Sequence, residues 1–415
     1  MVVARRWIQC KPFQGAATLD CFQLIEEELP GLKNDEILIE ALYLSVDPYM
    51  RVYPIQVDRT PIALQVARVT ESKNAAYPVG KLVLAMVGWR DKTVLHPDQF
   101  NPYYVPRFAP EKTISELPDL GDFPSSLYLG ILGMPGLSGY LGLLRQCRPK
   151  KGDIVLISSA ASAVGSVAGQ IAKLKGCTVI GSAGSQKKID WLKSLGFDYV
   201  FNYKETTLDE ALQIFAPDGI DCYFDNVGGS YSQTALNALK PRGRMCCCGY
   251  ISAYDTLSHQ LDSMKDDLLL KIMVNELSVS GLMVLSFADE FQEALSEMAQ
   301  WIKENKLKYK ETLFEGFTKM PEALLEIFQG TAVGKLIPNV YLLVLSPLGV
   351  DAESNSREQV PLLGTSEYEL LQSIHHWPRL KQASCRFEPD FIFKRMEVKT
   401  RYHFCSVRVL ELSKC

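Results

Sequence analysis

Val155–Leu174 reads VLISSAASAVGSVAGQIAKL. With Ile154 ahead of it, Ile154–Ile157 is a short continuous apolar run, the pattern of a strand buried on both faces. Small residues follow at Ser158, Ser159, Ala160, Ala161, Ser162 and Ala163. From there Val164, Val167, Ala168, Ile171, Ala172 and Leu174 recur at helical spacing. A strand that passes through small side chains into a helix lets the backbone approach a pyrophosphate. The free N–H groups and positive dipole end of the helix favour that anion. The fingerprint is not GxGxxG, because the turn keeps glycine only at Gly165 and Gly169. Taken alone, the stretch is equally consistent with a small-residue helix start packed on a strand.

The chain downstream repeats the alternation. Strands are predicted at Thr178–Ser182, Tyr199–Phe201, Ile220–Asn226, Arg244–Tyr250 and Leu277–Leu285, and helices at Gly165–Lys175, Gln186–Leu195, Leu208–Phe215 and Ser232–Leu239. Repeated β–α–β units predict an α/β fold with a doubly wound parallel sheet. Upstream, Glu36–Leu44, Val66–Val69 and Lys81–Val87 read as short strands of a β-rich module, and Gly88–Pro118 as a long irregular loop. Leu127–Leu144 is glycine-rich and ends in a helix-like run. Ala288–Ile302 and Met320–Phe328 are amphipathic helices, and Gly334–Val340 is a last strand. Residues 341–415 carry no regular period.

The 415 residues allow two or three domains. A hydrophobic content of 47% with 22% charged residues is that of a globular protein, and a net charge of −4 predicts neither nucleic acid nor an anionic membrane as partner. No apolar run approaches the roughly 18 residues of a membrane span. The N-terminal MVVARRWIQCKPFQG lacks the apolar core of a secretory signal, and acids at Asp20, Glu26, Glu27 and Glu28 argue against a transit peptide. The eleven cysteines form neither a disulfide framework nor a zinc pattern. Cys246, Cys247 and Cys248 are consecutive and cannot converge on one metal. A reducing compartment, the cytoplasm, is expected.

In sheets of this kind that bind NAD, an acid at the end of the second strand holds the ribose. Here Gly181–Lys188 reads GSAGSQKK, without a carboxylate. Serines with Lys187 and Lys188 suit a 2′-phosphate instead, which favours NADP(H); a solvated first helical turn is the competing reading. The histidines are His96, His259, His375, His376 and His403, none paired with Cys or Glu at zinc-ligand spacing. Hydride chemistry without a metal calls for a hydroxyl donor, and Tyr254 in GYISAYD is the candidate.

VDPYMR (Val46–Arg51), QVARVTESKN (Gln65–Asn74), GMPGLSGYLGLL (Gly133–Leu144), SSAASAVGSVAGQIAKLKGC (Ser158–Cys177), LGFDYVFNYK (Leu195–Lys204) and DGIDCYFDNVGG (Asp218–Gly229) closely resemble the zinc-free branch of the medium-chain dehydrogenase/reductases, in its prostaglandin- and alkenal-reducing members. The resemblance runs from about residue 5 to Val340. It implies a GroES-like catalytic domain (1–133), a Rossmann domain (134–302), a return to the first domain (303–340), and an extension without counterpart (341–415). It implies NADPH, a homodimer, and reduction of the carbon–carbon double bond of α,β-unsaturated aldehydes and ketones, including 15-oxo-prostaglandins and oxidised leukotrienes. By the same resemblance Ala161, Ser162, Ala163, Val164 and Gly165 hold the pyrophosphate, and Lys188 and Tyr203 the adenine-side phosphate and ribose. Asn226, Cys248, Gly249, Tyr250, Ile251, Ser252, Ala253 and Tyr254 line the cofactor, and Leu282, Met283 and Val284 meet the nicotinamide. Tyr254 orients the nicotinamide ribose, and Tyr49, Arg51 and Met134 line the substrate pocket. The chain departs from the pattern at Ala332, where the family has asparagine, at Ala63-Leu64-Gln65 in place of GQQ, and at Val274 in place of a tyrosine. A quinone reductase of the same superfamily and an NADPH-binding protein with weakened turnover are the alternatives.

Overall fold

The computed structural model describes residues 2–51, 57–98, 113–254 and 266–340. The extension 341–415 and the histidines His259, His375, His376 and His403 lie outside them. The chain opens with β1 (Val2–Gln9) and β2 (Phe22–Leu29), an antiparallel ribbon. There follow β3 (Ile37–Leu44), β4 (Gln65–Ser72), β5 (Leu82–Ala85), β6 (Lys92–Leu95) and β7 (Ile114–Glu116). Helix α1 (Met134–Leu141) runs on into a π-helical turn, Gly142–Cys147. Then come β8 (Ile154–Ile157), α2 (Ala163–Leu174), β9 (Thr178–Ala183), α3 (Gln186–Ser194), β10 (Tyr199–Asn202), α4 (Leu208–Phe215) and β11 (Ile220–Asp225). The described residues end with α5 (Gly229–Asn237), β12 (Leu239–Cys247), α6 (Asp266–Val274), β13 (Ser278–Gly281), α7 (Phe291–Lys303), β14 (Glu311–Glu315), α8 (Met320–Gln329) and β15 (Lys335–Asn339).

One sheet has the order β10-β9-β8-β11-β12-β13, with every neighbouring pair parallel. This is the dinucleotide-fold order, in which winding reverses between the first strand, β8, and the fourth, β11. Ligands of such sheets sit at the carboxyl ends of the strands at that reversal. Val155, Leu156 and Ile157 are completely buried, which is why β8 shows no alternation. The second sheet runs β14-β15-β3-β4-β5-β7, with β6 on the other part of β3. Its last two strands, joined through α8, come from the chain's return and meet β3 at Asn339 and Tyr43. Its core holds Trp89, Phe317 and Met320 around β3.

Three expectations need correction. Gly88–Pro118 is not one irregular loop: it contains β6 and β7, while residues 99–112 lie outside the described ones. Only part of each strand alternates visibly, and the prolines around them read as breakers. The fifth parallel strand starts at Leu239 and stops at Cys247, so α5 ends earlier and Cys248–Tyr250 is loop. Pro241 and Gly243 look like a turn, yet the strand carries them in an irregularity, with Arg242 at φ +64° and a register shift opposite Ile220 and Cys222. The sixth strand is only Ser278–Gly281, and Val284–Glu290 turns as a 3-10 segment with a kink at Phe287.

Candidate functional site

The turn from β8 to α2 is built by its own small residues. Ser159 takes φ +49°, left-handed and uncommon for a residue with a Cβ. Ser162 caps α2, its hydroxyl accepting the Gly165 N–H at 3.0 Å. The first-turn amide of Val164 has no acceptor among the described residues, while that of Ala163 faces the Gly334 carbonyl in a parallel bridge. A Cβ on Gly165 would stand 2.5 Å from the Ser159 carbonyl, and one on Gly169 would stand 2.0 Å from the Phe197 ring. The two glycines therefore serve close packing of α2 on the turn and on the β9–β10 side. Counted back from Gly165, the missing glycines of the fingerprint fall at Ala160 and Ser162.

At the carboxyl end of β9 the structure gathers Lys188, Tyr203 and Lys204. Tyr203 is half exposed, and its hydroxyl lies so near Gly184 that a Cβ there would be 2.6 Å away. Lys188 donates to the Gly330 carbonyl at 2.7 Å. Burial, and then the neighbouring Lys204 ammonium, push the Lys188 pKa down. Two like charges held beside an acid-free strand end favour an anion between them.

The loops after β11 and β12 form the next wall. Asn226 is locked to the turn: its N–H bonds the Ser158 hydroxyl at 2.9 Å and its side-chain amide bonds the Ser158 carbonyl at 2.8 Å. Beneath it lies Asp225, a buried carboxylate that sequence reasoning passed over. It accepts from the Tyr223 hydroxyl at 2.6 Å, the Val227 and Gly228 amides at 2.9 and 3.0 Å, and the Ser232 hydroxyl. The only signal for it was an acid closing the apolar run CYF. The Cys248 and Gly249 amides bond the Asp225 carbonyl, and the Ser252 amide bonds the Val227 carbonyl at 3.0 Å. Tyr250 lies over the Gly228 backbone. Burial pushes Cys248 up to about 12 and Cys247 to about 11, so both stay thiols at neutral pH. Ile251–Ala253 make a single 3-10 turn that delivers Tyr254, whose hydroxyl accepts the Tyr250 N–H at 3.1 Å. Leu282 is tied to the Cys247 carbonyl at 3.0 Å, which places Leu282, Met283 and Val284 at the end of β13 beside that loop.

The returning chain closes the site from the other sheet. The Gly334 amide bonds the Ala161 carbonyl at 2.9 Å, and Gln170 exchanges bonds with the Lys308 backbone at 2.9 and 2.8 Å. Lys335 is buried and reaches Asp47 Oδ1 at 2.6 Å and the Val46 carbonyl at 2.8 Å. Its neighbour Glu311 accepts from Ser126 at 2.9 Å, while Glu311 Oε1 is buried without a partner among the described residues. Burial pushes Glu311 up to about 7, against the opposing pull of Ser126 and Lys335. Glu311 shares a small cavity with Ala163, Ser166 and Gly334, directly under the first turn of α2. Sequence reasoning missed Lys335, Glu311 and Ser126, whose partners lie far away along the chain.

The expected substrate residues are less closely grouped. Met134 opens α1 and Tyr49 packs on the core of the second sheet. Arg51 bonds the Gly15 carbonyl and lies 4.7 Å over the Phe13 ring. Ala63 is buried, Leu64 bonds the Ser45 hydroxyl at 3.0 Å, and Gln65 donates to the Gly88 carbonyl at 3.1 Å. Ala332 packs on the same core, and Val274 is 67% exposed at the end of α6. Among the described residues no three His, Cys, Asp or Glu side chains form a group able to hold a metal ion. No helix there is long and apolar enough to cross a membrane.

The family described as "Zinc-binding dehydrogenase" matches residues 163–300, and "N-terminal domain of oxidoreductase" matches residues 5–103. The chain is 44% identical to prostaglandin reductase 1 of Oryctolagus cuniculus, over 81% of this chain and 93% of that protein. It is 37% identical to the NADP(+)-dependent 2-alkenal reductase of Nicotiana tabacum, over 75% of this chain and 89% of that one. Among solved structures, CurA of Vibrio vulnificus in complex with NADPH superposes with a TM-score of 0.72 at 32% identity, covering 81% of this chain and 99% of CurA.

Proposed function

The chain belongs to the prostaglandin reductase 1 family of medium-chain dehydrogenase/reductases, and on that premise we propose that it is an NADPH-dependent reductase of α,β-unsaturated aldehydes and ketones. What carries the cofactor half of the reading is the acid-free end of β9, where Lys188, Lys204 and Tyr203 gather. A 2′-phosphate there relieves the repulsion between the two ammoniums, whereas a bare ribose does not. The names of the relatives, a prostaglandin reductase and a 2-alkenal reductase, support the carbon–carbon double bond as the target.

The residues take the following roles. The Ala161–Gly165 turn meets the pyrophosphate with the free amide of Val164 and the dipole of α2. Asn226 and the Cys248–Tyr254 loop, both pinned through Asp225 and Ser158, line the cofactor without adapting to it. Leu282–Val284 border the nicotinamide. NADPH, when bound, supplies the hydride that the substrate's β-carbon receives. Negative charge then develops on the substrate's carbonyl oxygen, and a hydroxyl donor stabilises it there. Tyr254 fits that task through the nicotinamide ribose, because a hydroxyl that accepts a backbone N–H is polarised toward donating its own proton. The α-carbon takes a proton to complete the saturated product. Met134, Tyr49 and Arg51 are the substrate-side residues in this reading. Residues 1–133 and 303–340 form its catalytic unit and 134–302 its cofactor unit. The entry of β14 and β15 into the sheet of β3 supports this division.

Lipid mediators such as 15-oxo-prostaglandins as substrates, a homodimer and a cytoplasmic location complete the proposal. The test is NADPH consumption with a 2-alkenal, a 15-oxo-prostaglandin and a quinone, with the product identified by mass. Saturation of the enal or enone double bond is the expected result. Turnover with the quinone alone overturns the reading. Light scattering of the eluted protein tests the dimer.

A further inference from the structure

A cavity of about 260 Å3 lies against the β1–β2 ribbon, and none of its lining residues is one given to cofactor or substrate. Arg6 on β1 and Arg90 are directly opposed in an antiparallel bridge. Like charges so placed repel. Glu27 on β2 stands between them, one oxygen accepting from Arg6 Nε at 2.9 Å and the other from Arg90. All three side chains are partly buried, with 23, 18 and 29% exposure. Each guanidinium carries five N–H donors. Arg6 and Arg90 each direct one nitrogen to Glu27, and their other side-chain nitrogens have no acceptor among the described residues. The Thr60 hydroxyl, also on the cavity wall, is buried and without a partner among the described residues. Asp58 and Arg59 contribute one charge of each sign, and the remaining wall includes Ile62, Met86 and Val87.

We propose that this cavity binds an organic monocarboxylate with a short apolar tail, its carboxylate bridging Arg6 and Arg90 and its tail lying on Ile62, Met86 and Val87. The charge count selects the ligand. Two guanidiniums and one carboxylate leave a single positive charge, which one carboxylate balances with bidentate bonds. Orthophosphate, near two negative charges, overshoots that balance and finds no use for the apolar wall. Thr60 supplies the neutral donor that such an anion uses.

Calorimetric titration of the full chain with hexanoate at fixed ionic strength tests the site, with orthophosphate and hexan-1-ol as the other probes. Hexanoate is expected to bind saturably and more tightly than either. Arg90→Gln is expected to weaken it by about tenfold while leaving alkenal reduction, measured without hexanoate, unchanged. Should a melting curve show that Arg90→Gln does not fold, Arg6→Lys replaces it, since Lys keeps the charge beside Glu27 and removes the fork; it is expected to weaken hexanoate by several-fold. Equal binding of hexan-1-ol, a preference for orthophosphate, or unchanged affinity in the folded variant overturns the proposal.

Discussion

Replacing Glu311 by Gln tests the junction under the cofactor turn most directly. Glu311 lies beside Ala163 and Ser166, with one oxygen on Ser126 and the other unpartnered. Burial raises its pKa from 4.5 to about 7. Between those values the folded chain keeps a proton that the unfolded chain has released, so stability falls as pH rises. The stabilisation is complete below the unfolded value and gone above the folded one. The shift corresponds to about 3 kcal/mol at most. Glu311→Gln mimics the protonated acid and has no such slope. Urea unfolding of both proteins is the assay. Near pH 5 the two should match closely, and near pH 8.5 the variant should be more stable by about 2–3 kcal/mol. A stability difference that stays flat across that range refutes the argument. The same charge acts on the cofactor. An ionised Glu311 under the first turn of α2 repels a pyrophosphate, so the wild-type KM for NADPH should rise with pH through about 7 while that of the variant does not.

Three further outcomes are expected. Lys188→Ala should raise the KM for NADPH by about 10- to 100-fold, the worth of a charge-assisted bond, and change that for NADH far less; the ratio separates phosphate recognition from loss of the Gly330 contact, and an equal effect on both cofactors sinks it. Tyr254→Phe should lower kcat with little change in NADPH affinity, and unchanged turnover would remove Tyr254 from the reaction. Gly169→Ala pushes a methyl into the Phe197 ring and should cost about 1–3 kcal/mol of stability, part of which Phe197→Leu restores in the double variant; strict additivity of the two changes would show that the contact is not the cause.

The parallel sheet was legible because burial on both faces writes itself as unbroken apolar runs. Ile154–Ile157 and Leu208–Phe215 match their predicted limits, the helix being closed at its start by a Thr207–Glu210 capping box. Where a strand bends, the same logic failed. Leu239–Arg244 contains a proline and a glycine that an irregular strand absorbs, so its first half read as a connection. The β1–β2 ribbon and the second sheet were harder still, because β1, β2 and β14 expose part of both faces and show no clean period. The candidate site divides in the same way. The local part, the turn from Ser158 to Gly165 and the acid-free end of β9, stood in contiguous residues. The part made by long-range contacts did not.

VDPYMR shows what that second part hides. In the fold, Arg51 turns to Gly15 and Phe13, and Asp47 receives a lysine from 288 residues away. Lys335 follows Gly334, whose amide holds the Ala161 carbonyl. One dipeptide therefore joins the turn at Ala161 to the second sheet. Breaking a buried ion pair leaves its survivor uncompensated, at a cost of about 3–5 kcal/mol, so Asp47 and Lys335 are constrained together. The motif's acid is a clamp on the cofactor turn, and the reason for its position in the sequence lies in the last strand.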